Sequence, residues 1–122
     1  MRWIVIVVLV LVAAAVALML LRPPSNAGDR AKLDRSFTSA EQQTLDAVGI
    51  TADQLARATC IGGAQCWIAV NGVVYDLGSS LHWKDGSHHG VHAGTDATEA
   101  FVRSGHGREI LEKLPVVGRY RP

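Results

Sequence analysis

The sequence predicts a small α+β domain preceded by one transmembrane helix. Three observations carry this prediction: an uninterrupted apolar segment at residues 3–21, two helix-capping patterns beginning at Thr38 and Thr51, and an Asn71-Gly72 pair between two apolar runs. A chain of 122 residues holds at most one compact domain with short attachments. The part that follows the apolar segment, about a hundred residues, is long enough to bury a small core.

The apolar segment contains no charged or strongly polar side chain. As an α-helix it would span roughly 28 Å, close to the hydrocarbon thickness of a bilayer. The rival interpretation is a cleavable signal peptide, whose apolar core is only about 7–15 residues long and is followed by small residues such as Ser25-Asn26-Ala27. The length of the segment and the intervening Arg22-Pro23-Pro24 favour an uncleaved anchor. We predict three segments: an anchor at residues 1–22, a polar tether at 23–36 and a folded domain at 37–122.

Two signals conflict about the side of the membrane on which the domain lies. Basic residues are more numerous after the apolar segment than before it, and this alone would place the domain in the cytoplasm. Cys60 and Cys66 are spaced to close a small disulfide loop, which persists only in an oxidising compartment. The alternative is a pair of buried thiols that act as small hydrophobic residues. We expect a single-pass protein of the inner (cytoplasmic) membrane with its domain on the periplasmic, outer face.

Charge and composition exclude some functions. Of the twelve basic residues only Arg2 precedes residue 22, so residues 22–122 carry eleven basic and eleven acidic side chains and a net charge of zero. No basic run alternates with aromatic residues, so nucleic acid is not an expected partner. The sequence also offers no acid–base pair or nucleophile arrangement typical of an active site, and we expect no enzymatic activity.

Local patterns predict the elements of the domain in order. Thr38 with Glu41 forms a capping box that begins a helix over about residues 39–48, and Thr51 with Gln54 begins a second helix that runs to about Ala58. An Asn-Gly pair between two apolar β-rich runs predicts a hairpin, because both turn residues need positive φ. The remaining predictions are strands at 66–70 and 73–77, a helix capped by Thr95 or Asp96 and ending near Arg103, a helix at 108–113 and a strand at 116–118.

All five histidines lie between His82 and His106. Imidazole is the commonest metal ligand among side chains. The spacing of His88 and His92 would suit zinc on a helix, but Gly86, Gly90 and Gly94 interrupt that segment and no His-Glu-x-x-His pattern is present. A haem needs one imidazole on each face of a flat macrocycle, with apolar walls between. Glycines beside the histidines let the backbone approach such a ring closely.

The histidines differ in how well they fit that arrangement. His106, in its own Gly-His-Gly turn, is the strongest candidate ligand, and His88, His89 and His92 are candidates for the other ligand. His82 is expected to be an ordinary surface residue. The absence of a Cys-x-x-Cys-His pattern excludes covalent attachment, so the expected cofactor is a non-covalent haem b. The apolar residues expected to enclose it are Val91, Phe101, Ile110 and Leu111.

Four segments in a fixed order resemble the cytochrome b5-like haem/steroid-binding family over about residues 50–120: residues 69–77, residues 93–101, Gly105-His106 and Val116-Val117-Gly118. The resemblance implies a short mixed sheet and helices that frame a haem pocket. It implies that His106 is the second iron ligand. The first ligand of the family opens a His-Pro-Gly-Gly loop, and His88-His89-Gly90 stands in that place, which favours His88.

The connection from this loop to Ala93-Gly94 is several residues shorter than in cytochrome b5 itself. That shortening resembles the membrane-associated progesterone-receptor branch, in which a tyrosine ligates the haem and falls at His89 here. The first prediction of function is a membrane-anchored b-type haem protein that carries single electrons to or from a membrane redox partner protein or complex. The alternative is a binding or scaffold module for haem or a small hydrophobic molecule, including an accessory subunit of a membrane complex.

Overall fold

A computed structural model of the chain describes residues 1–21, 26–78 and 80–122. The positions from Arg22 to Ser25, where the sequence predicts the end of the anchor and the start of the tether, lie outside the described residues, as does Ser79. Helix α1, Arg2–Leu20, has no buried residue. It is long and apolar enough to cross a membrane by length and composition, a test that a signal sequence also passes.

Two helices begin at the predicted capping boxes. Helix α2 is Ser39–Ala47 and helix α3 is Ala52–Ala56, and in each the cap threonine and the third helical residue exchange hydrogen bonds. Helix α3 ends two residues before the predicted Ala58. Between the helices lies strand β1, Gly49–Thr51, which the sequence analysis did not predict.

The predicted hairpin forms the centre of the sheet. Strands β2, Trp67–Val70, and β3, Val73–Asp76, pair antiparallel across a turn in which Asn71 has φ 49° and Gly72 has φ 77°. The closing strand β6, Val116–Arg121, is longer than predicted and pairs antiparallel with β3 and parallel with β1. Among the described residues these strands form one mixed sheet in the order β1-β6-β3-β2. The expected small α+β fold with a short mixed sheet is confirmed.

The remaining elements lie around one end of this sheet. A two-stranded hairpin consists of β4, Ser87–His88, and β5, Val91–His92, and it was not predicted. Helix α4 is Thr98–Arg103, and Asp96 Oδ1 accepts a hydrogen bond from the Thr98 amide at 3.0 Å. Helix α5 is Glu109–Glu112. The core between sheet and helices is apolar and includes Leu45, Ile68, Val70, Val73, Tyr75, Leu77, Phe101 and Leu111.

Cys60 and Cys66 form a disulfide that closes the loop between α3 and β2. Of the two alternatives left open by the sequence, the structure has the bonded pair. Both cysteines pack against the main core cluster. The loop also lies against the segment that precedes β4. At Gly86 the two segments are so close that a Cβ would lie 2.6 Å from the Thr59 carbonyl oxygen and 3.2 Å from the Ile61 side chain.

Residues 26–36 lie against the folded domain; we call this segment the strap. It contains one 3₁₀ turn, Arg30–Leu33. The Gly28 amide donates to the Val102 carbonyl at 2.7 Å, and the Arg35 guanidinium pairs with Glu41 at 2.8 Å. The boundary at residues 23–36 stays a prediction, but from residue 26 onward the segment is fixed to α4 and α2 by specific contacts.

Candidate functional site

A cleft of about 670 Å³ opens between one face of the sheet, the β4–β5 hairpin and the helices α4 and α5. Its size is in the range that binds cofactors and drug-sized ligands, which is roughly 300–1,000 Å³. Histidines lie at its rim and aliphatic or aromatic side chains form its walls. The apolar lining residues are Ile68, Val70, Leu77, Trp83, Val91, Ala97, Ala100, Phe101, Ile110, Leu111 and Leu114.

The β4–β5 hairpin places His88 at the rim of the cleft. His88 pairs with Val91 in register, and the two residues between them, His89 and Gly90, have φ 48° and 77°. Positive φ at both positions is typical of a two-residue type I′ turn. His89 is therefore at the exposed tip of the turn, whereas His88 lies on the strand before it and is half-buried.

A second turn, between α4 and α5, places His106 at the same rim. Helix α4 ends because the Ser104 amide bonds back to the carbonyls of Ala100 and Phe101 and its hydroxyl donates to the Phe101 carbonyl at 2.7 Å. The Ser104 Oγ also accepts from the His106 amide at 3.3 Å. The histidine is thus carried on a short Ser-Gly-His-Gly turn and not on a helix.

The rings of His88 and His106 have centroids 6.3 Å apart and planes inclined by 32°. A metal–imidazole bond is about 2 Å long and the nitrogen lies a further ~1 Å from the ring centre, so two imidazoles on opposite sides of one ion have centroids about 6 Å apart. The two turns therefore hold the rings at the separation that one metal ion between them requires.

Burial is the largest cause that lowers the pKa of His88 below its ordinary value of 6.5, and the neighbouring rings of His89, His82 and His106 lower it further. A lowered pKa keeps the imidazole neutral near pH 7. Neutral imidazole is the form that binds metal. Burial, together with the neighbouring histidines, thus favours the form of His88 that can bind a metal.

The other residues proposed from the sequence lie in three settings. Val91, Phe101, Ile110 and Leu111 all line the cleft, and Phe101 and Leu111 are also buried in the core. His89 lines the cleft from the turn, with its ring 4.2 Å from that of His88. His92 is exposed on β5, outside the residues that line the cleft.

Two further residues lie next to His88: His82, which we expected to be an ordinary surface residue, and Trp83. The exposed His82 has its ring centroid 5.5 Å from that of His88, and the half-buried Trp83 has its ring 5.4 Å away. Both line the cleft. Their position follows from a 3₁₀ turn, Leu81–Trp83, that no sequence pattern indicated.

Sequence analysis missed Lys32, which it counted only as a basic residue of the tether. Lys32 is 2 % exposed, and its ammonium donates to the carbonyls of Ser104 and His106 at 2.8 and 2.9 Å. Burial lowers its pKa, and Asp29 partly opposes that effect. A lysine in a polar segment gives no sequence signal that it is buried.

The arrangement of a mixed sheet, a cleft and two histidine turns agrees with the family indicated by sequence. Residues 51–121 match the cytochrome b5-like heme/steroid binding domain. This match covers more than half of the chain. The chain belongs to that family.

Two solved structures are similar to this cytochrome b5-like domain. A cytochrome b5 domain protein of Hadesarchaea YNP_N21 is 47% identical, with a TM-score of 0.57, and the alignment covers 61% of this chain and 99% of that one. A cytochrome b5 domain protein of Methanococcoides burtonii is 36% identical, with the same TM-score, over 61% of this chain and 97% of that one. No curated protein matches the chain at a significant level.

Proposed function

We propose that this cytochrome b5-like protein binds haem b without covalent attachment, between His88 and His106, and carries single electrons. The observation that carries the proposal is the 6.3 Å separation of the two rings across the cleft. Among the described residues no three His, Cys, Asp or Glu side chains converge as a metal-ion site. Two imidazoles beside an apolar cleft are the donor set of a six-coordinate haem, whereas structural zinc takes four ligands.

The residues present fit that cofactor. The cleft is apolar along its walls, and the burial of a porphyrin between Val91, Phe101 and Leu111 would stabilise its binding. The bound haem would supply a reversible one-electron couple. His88 and His106 would together hold the iron and leave no ligand position for substrate or oxygen, so we propose an electron carrier without enzymatic activity.

We further propose that helix α1 anchors the domain in the inner (cytoplasmic) membrane and that a membrane redox protein or complex is its partner. Support comes from the apolar, wholly unburied α1. The Cys60–Cys66 disulfide favours the periplasmic, outer face, because such bonds persist in oxidising compartments. The near-balanced charge of the domain gives no reason to expect nucleic acid as a partner.

The alternative proposal is a binding or scaffold module similar to the membrane-associated progesterone-receptor branch, with one haem ligand or with a small hydrophobic molecule in the cleft. The observation that favours it is the short connection from His88-His89-Gly90 to Ala93-Gly94, which consists only of Val91 and His92. It also places His89 beside His88 at the cleft. In this case iron would be five-coordinate.

Titration of the full chain with hemin in detergent, followed by absorption spectroscopy of the oxidised and reduced protein, tests the proposal. We expect a one-to-one complex with a six-coordinate low-spin spectrum that is reduced and reoxidised reversibly. His106→Ala should convert the spectrum to five-coordinate high-spin, whereas His92→Ala should leave it unchanged. A high-spin wild type would favour the alternative, and a low-spin spectrum that persists in His106→Ala would show that His106 is not a ligand. A chain that binds no hemin would contradict the proposal and leave only the small hydrophobic molecule of the alternative.

A further inference from the structure

Lys32 is a buried charged residue, at 2 % exposure. Lysine is almost never fully buried unless its ammonium is paired. Here the ammonium donates to the Ser104 and His106 carbonyls, at 2.8 and 2.9 Å, and lies 4.7 Å from the centre of the Phe101 ring. The cation is thus held by backbone dipoles and by an aromatic face. These partners hold the Lys32 ammonium in a single position.

The strap also bonds the carbonyl between those two. Asn26 Nδ2 donates to the Gly105 carbonyl at 3.3 Å. Three consecutive carbonyls of the turn, those of Ser104, Gly105 and His106, therefore accept hydrogen bonds from strap side chains. Turn carbonyls have no helical partner, so these bonds replace the ones that a regular element would supply.

Contacts on both flanks keep the strap from moving independently of the turn. On the α4 side, the Gly28 amide bonds to the Val102 carbonyl and Arg30 pairs with Glu99 at 3.0 Å. On the α5 side, the Arg108 guanidinium donates to the carbonyls of Asp34 and Ala31 at 2.6 and 3.0 Å. The strap thus spans the two helices that flank His106.

We propose that Lys32 is a positioning residue for His106: by fixing the carbonyls on the turn, it holds the imidazole at the distance from His88 that an iron ion requires. The inference rests on the proposed haem binding. A Gly-His-Gly segment has unusual backbone freedom, and ordering it when the cofactor binds would cost free energy. With the carbonyls already bonded, most of that cost is met when the protein folds.

Lys32→Met tests the proposal, because methionine keeps much of the apolar stem but cannot donate a hydrogen bond. Lys113→Met, at the exposed C-terminal end of α5, is the matched control. We expect hemin release from Lys32→Met to be about 10- to 100-fold faster, the range seen when residues that support a metal ligand are removed. We also expect a high-spin fraction that added imidazole converts back to low-spin, because free imidazole can replace a displaced His106.

A lower melting temperature with wild-type spectrum and release rate would show a purely structural role and would overturn the proposal. Asn26→Ala removes one exposed hydrogen bond to the same turn and keeps the test valid if Lys32→Met does not fold. We expect Asn26→Ala to accelerate hemin release about threefold, roughly the effect of a 0.7 kcal/mol loss. If Lys32→Met does not fold, an unchanged rate in a folded Asn26→Ala overturns the proposal.

Failure of the wild type to form a low-spin complex contradicts the proposed function itself. A low-spin wild type with an unaffected Lys32→Met contradicts only the positioning role.

Discussion

At the scale of the residue, the adjacent His88 and His89 differ in backbone conformation and in burial. His88 lies on β4 and is half-buried, whereas His89 has φ 48° at the tip of the turn and is exposed. Both rings line the cleft, 4.2 Å apart, so it is burial and the 6.3 Å separation from the His106 ring that distinguish His88. Burial and ring separation therefore favour His88 as the partner of His106.

We predict that His88→Ala weakens hemin binding at least about tenfold, equal to 1.4 kcal/mol, and abolishes the six-coordinate spectrum. His89→Ala is the matched control and should keep a low-spin spectrum with an affinity close to that of wild type. Hemin titration with absorption spectroscopy measures both effects. The opposite pattern, with His89→Ala losing the low-spin signal, would assign the iron ligand to His89 and support the progesterone-receptor-like alternative.

Two glycines around the same hairpin also differ. Gly86 has φ 78°, and a Cβ there would lie 2.6 Å from the Thr59 carbonyl oxygen. Gly90 has φ 77°, but a Cβ there would meet no atom within 4 Å. Both positions disfavour any L-residue with a side chain, and only Gly86 adds a backbone clash.

We therefore predict that Gly90→Ala lowers the free energy of unfolding by about 1 kcal/mol, the cost of the left-handed conformation alone. Gly86→Ala should cost about 3 kcal/mol or more, because the hairpin must also move away from the disulfide loop. Denaturant unfolding of the apoprotein measures both values. Equal losses for the two variants would show that the Gly86 contact relaxes without consequence.

At the scale of the element, an ion pair joins the strap to α2. The Arg35 and Glu41 side chains are mostly buried and 2.8 Å apart, and Glu41 also accepts a hydrogen bond from the Thr38 amide at 2.8 Å. Burial raises the pKa of Glu41, but the hydrogen bonds from Thr38 and Arg35 outweigh it, so the pKa lies below its ordinary value of 4.5. The folded state thus holds this carboxylate in its charged form.

The direction of that shift predicts a pH dependence. As the pH falls, the unfolded chain takes up the proton first, so the stabilisation by Glu41 is complete above about pH 5 and is lost as the pH falls through its folded-state pKa. Glu41→Gln should lower the free energy of unfolding by about 1–2 kcal/mol at pH 7 and reduce the loss between about pH 5 and 3. Glu112→Gln, on the exposed face of α5, is the control; an unchanged pH profile in Glu41→Gln would contradict the prediction.

Sequence patterns predicted those elements that depend on local chemistry. The two capping boxes and the Asn71-Gly72 turn use side chains and φ angles within four residues, and all three are present. Strand β1 could not be predicted because it has three residues and pairs with β6, seventy positions away. The β4–β5 hairpin was missed because histidine stands at a turn position where asparagine or aspartate is usual.

The candidate site was predicted in part for the same reason. Histidines and glycines near one another in sequence pointed to His88, His89 and His106, and Val91 and Phe101 line the same cleft. The burial of Lys32 depends on contacts with residues more than seventy positions away. The sequence did not indicate that the strap packs against the domain. The strap is held by hydrogen bonds to backbone carbonyls, and such bonds leave no apolar periodicity in the sequence.

At the scale of the whole molecule, chain length limits the distance between the candidate site and the end of α1. Five residue steps separate Leu21 from Asn26 and can span at most about 18 Å. Asn26 bonds to the Gly105 carbonyl, next to His106. If α1 is inserted in a membrane, Asn26 stays within that distance of Leu21, and the turn that carries His106 lies beside Asn26, a geometry that suits a partner within the same membrane.

The same geometry predicts that the anchor and the haem site are separable. Helix α1 contributes no buried residue, whereas the strap begins its contacts at Asn26, so deletion of residues 1–21 removes nothing from the core. We expect the shortened protein to stay in aqueous buffer without detergent and to bind hemin with an affinity within about twofold of that of the full chain, a difference of roughly 0.4 kcal/mol.

The full chain should float with lipid vesicles and resist extraction with alkaline carbonate, as a transmembrane helix does. Vesicle binding by the shortened protein would place the membrane contact on the domain, and a loss of hemin binding would show that α1 supports the site.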